Sequence, residues 1–178
     1  MPDTFVLKQP TGGRQTLGAA LSMVGMAATV GGALAFQHIG GYIPCALCLE
    51  QRTPYYVAIP IAFVALISAL RSGPAILTRL LLVAVGVAML YAAYLGIFHA
   101  GVEWRWWAGP TDCGAVAGFD MGGDLLSQLD TVRGPSCEDA ALRIFGVSLA
   151  GWNAIAALIL AGISLRAGLS RGDRFSAH

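Results

Sequence analysis

The chain has 178 residues, of which 56% are apolar and only 12% charged, with a formal net charge of +1. Soluble domains carry about twice that charged fraction, and a charge this close to zero gives no electrostatic basis for nucleic-acid binding. The apolar residues are bunched in runs near bilayer length, about 20 residues each, without internal repeats or low-complexity tracts.

Four runs lack Asp, Glu, Lys and Arg. The first spans roughly residues 17–36. A secretory signal peptide is the competing reading, since Ala33-Leu34-Ala35 mimics a cleavage site. The run is longer than a typical signal core, however, and its removal would leave an odd number of spans. The second run, roughly 54–70, opens on Thr53-Pro54, a good helix start, and Pro60 is expected to kink it. The third covers roughly 80–98 after Arg79, and the fourth roughly 145–165 before Arg166. In hydrocarbon a backbone must satisfy its own hydrogen bonds, so each run is predicted to be a helix. Small residues such as Ala27, Ala28, Gly31 and Gly32 suit close helix contact in lipid. The predicted fold class is an all-α membrane protein, a four-transmembrane-helix bundle forming one integral domain over residues 1–178. Its two outward cysteine loops cover roughly 37–53 and 99–144.

Charge sets the expected orientation. Lys8, Arg14, Arg71, Arg79, Arg166, Arg171 and Arg174 fall on the side of the two termini. Arg52, Arg105, Arg133 and Arg143 fall on the other side, diluted by eight acids that include Glu50, Glu103, Asp112 and Asp139. Basic residues stay in the cytoplasm, so both termini are expected inside and all four cysteines outside, where disulfides persist.

Between the first two spans lies Cys45-Ala46-Leu47-Cys48, followed by Arg52. A Cys-x-x-Cys is the common redox spacing, in which one thiol is often acidified. If the helix starts near Cys48, Arg52 shares its face, and the guanidinium together with the helix N-terminus favours a thiolate. The competing reading of Arg52 is a snorkelling interfacial charge; beside a membrane-edge Cys-x-x-Cys the functional reading is preferred.

The segment between spans three and four runs to about 45 residues, longer than a simple connector. His99 ends the third span, with Glu103 one turn on. A lone histidine there is more often a cap than a catalyst. Trp104, Trp106 and Trp107 read as an interfacial aromatic belt. Leu125, Leu126, Leu129 and Val132 follow Asp124 at helical spacing, which leaves room for a short surface helix in this loop. Cys113 and Cys137 are separated by 23 residues. Read alone, the pair is compatible with a structural disulfide worth about 3–4 kcal/mol. A four-cysteine zinc site fits less well, because only one pair is close-spaced, and no metal is expected. Asn153, early in the fourth span, reads as an interhelical hydrogen-bonding group.

Taken together, Cys45-Ala46-Leu47-Cys48-Leu49-Glu50-Gln51-Arg52, His99-Ala100-Gly101-Val102-Glu103-Trp104, Gly109-Pro110 with Cys113, Pro135-Ser136-Cys137 and Ser148-Leu149-Ala150-Gly151-Trp152-Asn153 resemble the family of disulfide bond formation protein B, DsbB. The resemblance covers roughly residues 36–158. It implies a bacterial inner-membrane thiol oxidase linked to ubiquinone or menaquinone. Its partner would be a soluble periplasmic, thioredoxin-like dithiol oxidase resembling DsbA. By the same resemblance Cys113–Cys137 is the disulfide that the reduced partner attacks, at Cys113. Cys137 then pairs transiently with Cys45, and Cys48 contacts the quinone with Arg52 stabilising negative charge. His99 matches a family position near the quinone. Each exchange is the attack of a thiolate on a disulfide sulfur. Ala46 and Leu47 lie where the family varies and bear on the potential.

Three other functions would each leave a different mark on the sequence. A vitamin K epoxide reductase-like enzyme would place its loop pair before its Cys-x-x-Cys, the reverse of the order here. A non-catalytic scaffold would carry Cys113–Cys137 as a staple and leave Arg52 dispensable. A transporter would need polar groups within the spans, which are nearly absent here.

Overall fold

The computed structural model describes residues 11–110 and 136–170. Four helices are long and apolar enough to cross a membrane: Gly13–His38, Ala46–Leu70, Ala75–Glu103 and Leu149–Leu169. We number the elements α1 (Gly13–His38), α2 (Ala46–Glu50), α3 (Thr53–Leu70), α4 (Ala75–Glu103), β1 (Arg143–Ile144), β2 (Val147–Ser148) and α5 (Leu149–Leu169). The second span is α2 and α3 in series. The predicted four-helix membrane bundle is the observed architecture.

Local chemistry explains the boundaries. α1 opens with half of a capping box, in which Gly12 N–H donates to Gln15 Oε1 at 2.9 Å. α3 starts at Thr53-Pro54 and continues through Pro60. α4 begins after Pro74 and runs to Glu103, five residues past the predicted end. His99 and Glu103 therefore stand on a helix, not in a loop. The predicted start of the fourth span is corrected by four residues. Residues 143–148 form an antiparallel hairpin, with Arg143 opposite Ser148. Its turn residues Phe145 and Gly146 have φ of 52° and 81°, the paired left-handed geometry of a tight hairpin turn. Ser148 then caps α5, its Oγ accepting from Gly151 N–H at 3.2 Å. The apolar pattern of Phe145 and Val147 thus belongs to a hairpin, because the left-handed turn breaks helical continuity. The expected surface helix around Leu125–Val132 lies outside the described residues.

α1 and α4 each pack against both α3 and α5 and barely touch one another, so they stand on the diagonal of the bundle. The central layer comprises Met26, Tyr55, Ala58, Ala62, Val85, Met89, Ala92, Ala157 and Ala161. Helix approach depends on absent side chains. A Cβ on Gly96 would lie 2.9 Å from Ala154 N and 3.1 Å from Ala150 O, backbone atoms that cannot yield, so α4 and α5 touch only because glycine is there. Large apolar residues such as Val24, Val64, Val87 and Ile159 face outward, as a lipid-facing surface requires.

The helices alternate in direction, so the Cys-x-x-Cys, His99, Cys137 and the hairpin share one end of the bundle. Gly13, the turn at 71–74 and Leu169 share the other.

Candidate functional site

The site begins with a cap. Cys45 is the N-cap of α2, and its Sγ accepts from Cys48 N–H at 3.3 Å. This turn folds the Cys-x-x-Cys back on itself, bringing the two sulfurs to 2.9 Å as free thiols. The helix therefore starts at Ala46 and not near Cys48 as the spacing suggested, and the capping sulfur is that of Cys45. Donation from the Cys48 thiol is the largest influence on Cys45. With hydrogen bonding from His99 and from Cys48 N–H it outweighs desolvation and pulls the Cys45 thiol down to about 4.

Cys45 is 4% exposed and Cys137, from the other loop, only 2%. The sulfurs of Cys45 and Cys137 and a ring nitrogen of His99 lie within 4.8 Å of one another. Cys137 is disulfide-bonded. Cys113 lies outside the described residues. Three soft or nitrogen ligands at this spacing resemble part of a metal site, but a sulfur held in a disulfide has no thiolate to offer a metal.

His99 is brought here by the extra turn of α4. Its Nε2 lies 3.7 Å from Cys45 Sγ and 3.9 Å from Glu103 Oε1. Its Nδ1 lies 2.6 Å from Gln51 Nε2. Gln51 also donates to Leu47 O at 3.3 Å and accepts from Asn153 Nδ2 at 2.7 Å. Asn153 Oδ1 accepts from Tyr55 O–H at 2.7 Å. A continuous chain of side chains from α2–α3, α4 and α5 thus ends at Cys45.

Arg52 follows a different course. It closes the turn between α2 and α3, and its NH1 donates to Gln37 Oε1 on α1 at 2.5 Å. Its charge acts on Cys48 as well. Between α1, α3 and α5 lies a cavity of about 520 Å³. Ala28, Gly32, Phe36 and Ala156 line its apolar side, and Cys48, Arg52, Gln37 and Glu103 its polar side. The Glu103 side chain is almost fully buried, and its Oε2 has no hydrogen-bond partner among the described residues.

The structure thus gathers Cys45, Cys48, His99 and Arg52 around one cavity, with Cys137 close to Cys45 and His99. The sequence reading gave Gln51, Tyr55 and Gln37 no role; Asn153, read as an interhelical hydrogen-bonding group, does bond across helices, to Gln51 and Tyr55. Gln51 and Tyr55 are one turn apart, and a polar pair at that spacing inside an apolar run was the available signal.

The family model for "Disulfide bond formation protein DsbB" matches residues 15–167. No curated protein and no solved structure gives a match. With the match covering nearly all the described bundle, the vitamin K epoxide reductase-like alternative falls away. The chain belongs to the DsbB family, multi-pass membrane oxidoreductases of disulfide bond formation.

Proposed function

We propose that this protein is a thiol:quinone oxidoreductase of the bacterial inner membrane, built as one integral domain. It reoxidises a soluble periplasmic dithiol oxidase resembling DsbA, with both its own termini cytoplasmic. One observation carries the reading: sulfurs from two separate loops, Cys45 and Cys137, converge with His99 within 4.8 Å, and Cys48 of the same Cys-x-x-Cys lines the cavity. A structural staple alone has no need of a second, unbridged pair beside it.

The exchange steps follow from thiolate chemistry. A thiolate of the reduced partner attacks Cys113 in a Cys113–Cys137 disulfide, forming a mixed disulfide and releasing Cys137 as a thiolate. The partner's second thiolate attacks its own sulfur in that mixed disulfide, leaving as an oxidised partner and releasing Cys113. Cys137 attacks Cys45 of an oxidised Cys45–Cys48 pair and Cys48 leaves with the electron pair. Cys113 then attacks Cys137 and releases Cys45. Two electrons have moved from the partner to Cys45 and Cys48.

The cavity suits a quinone on its own features. Its apolar side accepts a flat ring and an isoprenoid chain, and Arg52 supplies donors for a carbonyl oxygen. Bound there, ubiquinone or menaquinone supplies an acceptor for two electrons and two protons. Cys48 presents the thiol at the cavity wall, Arg52 offsets negative charge beside it, and Gln37 orients the guanidinium.

The test is quinone absorbance in detergent-purified protein after addition of a reduced thioredoxin-like donor, with Cys45→Ser as control. Loss of absorbance in the wild type alone is expected. No change with any dithiol donor would return the four cysteines to a structural role.

A further inference from the structure

Histidine offers two neutral tautomers, and the hydrogen bond made by one ring nitrogen decides which nitrogen carries the proton. At His99 that decision can be traced through three other side chains. Gln51 Nε2 faces Leu47 O at 3.3 Å, and a carbonyl only accepts. The NH2 end of Gln51 is therefore fixed toward both Leu47 and His99. At the other end, Gln51 Oε1 meets Asn153 Nδ2, and Asn153 Oδ1 meets the Tyr55 hydroxyl, both at 2.7 Å. Every contact in this chain pairs one donor with one acceptor, and its polarity runs one way.

We propose that Gln51, Asn153 and Tyr55 are positioning residues that hold His99 in its Nε2-protonated tautomer and so aim an N–H donor at Cys45 Sγ. His99 Nδ1 must accept from Gln51, which leaves the proton on Nε2, 3.7 Å from the sulfur. An imidazolium would set Nδ1–H against the Gln51 NH2. Relieving that conflict needs Gln51 and Asn153 both to flip and the Tyr55 hydroxyl to turn. The chain thus makes Nε2 the donating nitrogen, with Glu103 Oε1 3.9 Å from it on the next turn. Among the described residues, the other charged or titratable groups facing this corner are Cys48 on α2, Arg52 at the start of α3 and the exposed Asp139; Cys137 is held as a disulfide. The purpose, a Cys45 thiolate ready to leave or attack, rests on the thiol relay proposed above; the tautomer does not.

The chain carries three histidines, His38, His99 and His178. The experiment is long-range 1H–15N spectroscopy of 15N-histidine-labelled protein at pH 7 in detergent, dithiol-treated, with His38→Gln and His178→Gln for assignment. Wild-type His99 is expected to show the Nε2–H pattern. Asn153→Asp presents only acceptors to Gln51, so Gln51 turns its NH2 toward Asp and its oxygen toward His99, and the signal moves to the Nδ1–H pattern. Asn153→Leu releases Gln51 and gives a mixture, and the midpoint of pH-dependent Cys45 alkylation rises by about one unit, the tenfold change of one weakened hydrogen bond to a charged sulfur. An Nδ1–H or imidazolium signal in the wild type overturns the proposal, whatever the variants do. So does an unchanged Nε2–H signal in both Asn153 variants. A wild type that shows Nε2–H but passes no electrons from dithiol to quinone would sink the relay and leave the tautomer assignment standing.

Discussion

Both ends of this bundle bury polar side chains, and they use them differently. At the end away from the cysteines, Arg79 is wholly buried and donates to Gly168 O and Ser170 O, each at 3.0 Å. Gln15 donates to Ala167 O at 3.2 Å, and Ser22 meets Ser164 at 2.7 Å. Most of these groups end on backbone carbonyls at the C-terminus of α5, where a cation is stabilising. At the cysteine end the side chains bond mainly to one another, and the chain ends at a sulfur beside a cavity. A carbonyl is a fixed acceptor, so bonding to it holds a helix in place. Amides, hydroxyls and an imidazole can reverse donor and acceptor, so a chain of them can set and reset the state of a reactive atom.

The sharpest way to break this contrast is at Cys45. Cys45→Ser should abolish dithiol-driven quinone reduction while leaving thermal unfolding nearly unchanged, and Cys113→Ser should abolish that reduction too; full turnover in either variant contradicts the relay. The pH dependence of Cys45 comes next. A thiol pulled down from its usual range to about 4 favours the reduced Cys45–Cys48 pair at neutral pH. That preference is lost as the pH falls through the lowered value. Iodoacetamide labelling of Cys45 should therefore hold steady from pH 7 to about 5 and fall about tenfold per unit below about 4. Midpoint loss near pH 8 would show that the cap and His99 do not stabilise the thiolate.

Arg52→Ala should raise the quinone concentration for half-maximal rate by about tenfold, the effect of losing one charge-assisted hydrogen bond, as a quinone titration will show. Arg79→Met probes the opposite end. It removes the charge-assisted bonds to Gly168 O and Ser170 O and should destabilise by about 2 kcal/mol, seen in thermal unfolding, with quinone reduction per folded molecule unchanged. A large loss of turnover in that variant would erase the distinction between the two ends. Ser22→Ala should cost least, about 0.6 kcal/mol, the average for an interhelical hydrogen bond in a membrane bundle.

The spans were readable because a bilayer imposes length and apolarity on any segment that crosses it. Their ends were less so. α4 continues past Phe98 because His99 and Glu103, polar in sequence, are buried against Cys45 and the cavity, and burial is decided by neighbours far along the chain. The hairpin at 143–148 escaped notice because Phe145 and Val147 are apolar enough to extend a span, whereas the left-handed turn at Phe145 and Gly146 carries no hydropathy signature. Arg79, counted in sequence among the basic residues that set the orientation, is a buried cap on α5.

The amino-acid sequence by itself determined the membrane class, the four spans, the two cysteine pairs and the family, because composition and local spacing carry all of them. Only the tertiary structure decided that Cys45, not Cys48, caps α2 and that Cys137 lies against it. Only it showed that His99 is wired through Gln51 and Asn153 to Tyr55. Those contacts join residues from about 50 to about 100 positions apart, and no local pattern records which helix faces will meet once small residues let them approach.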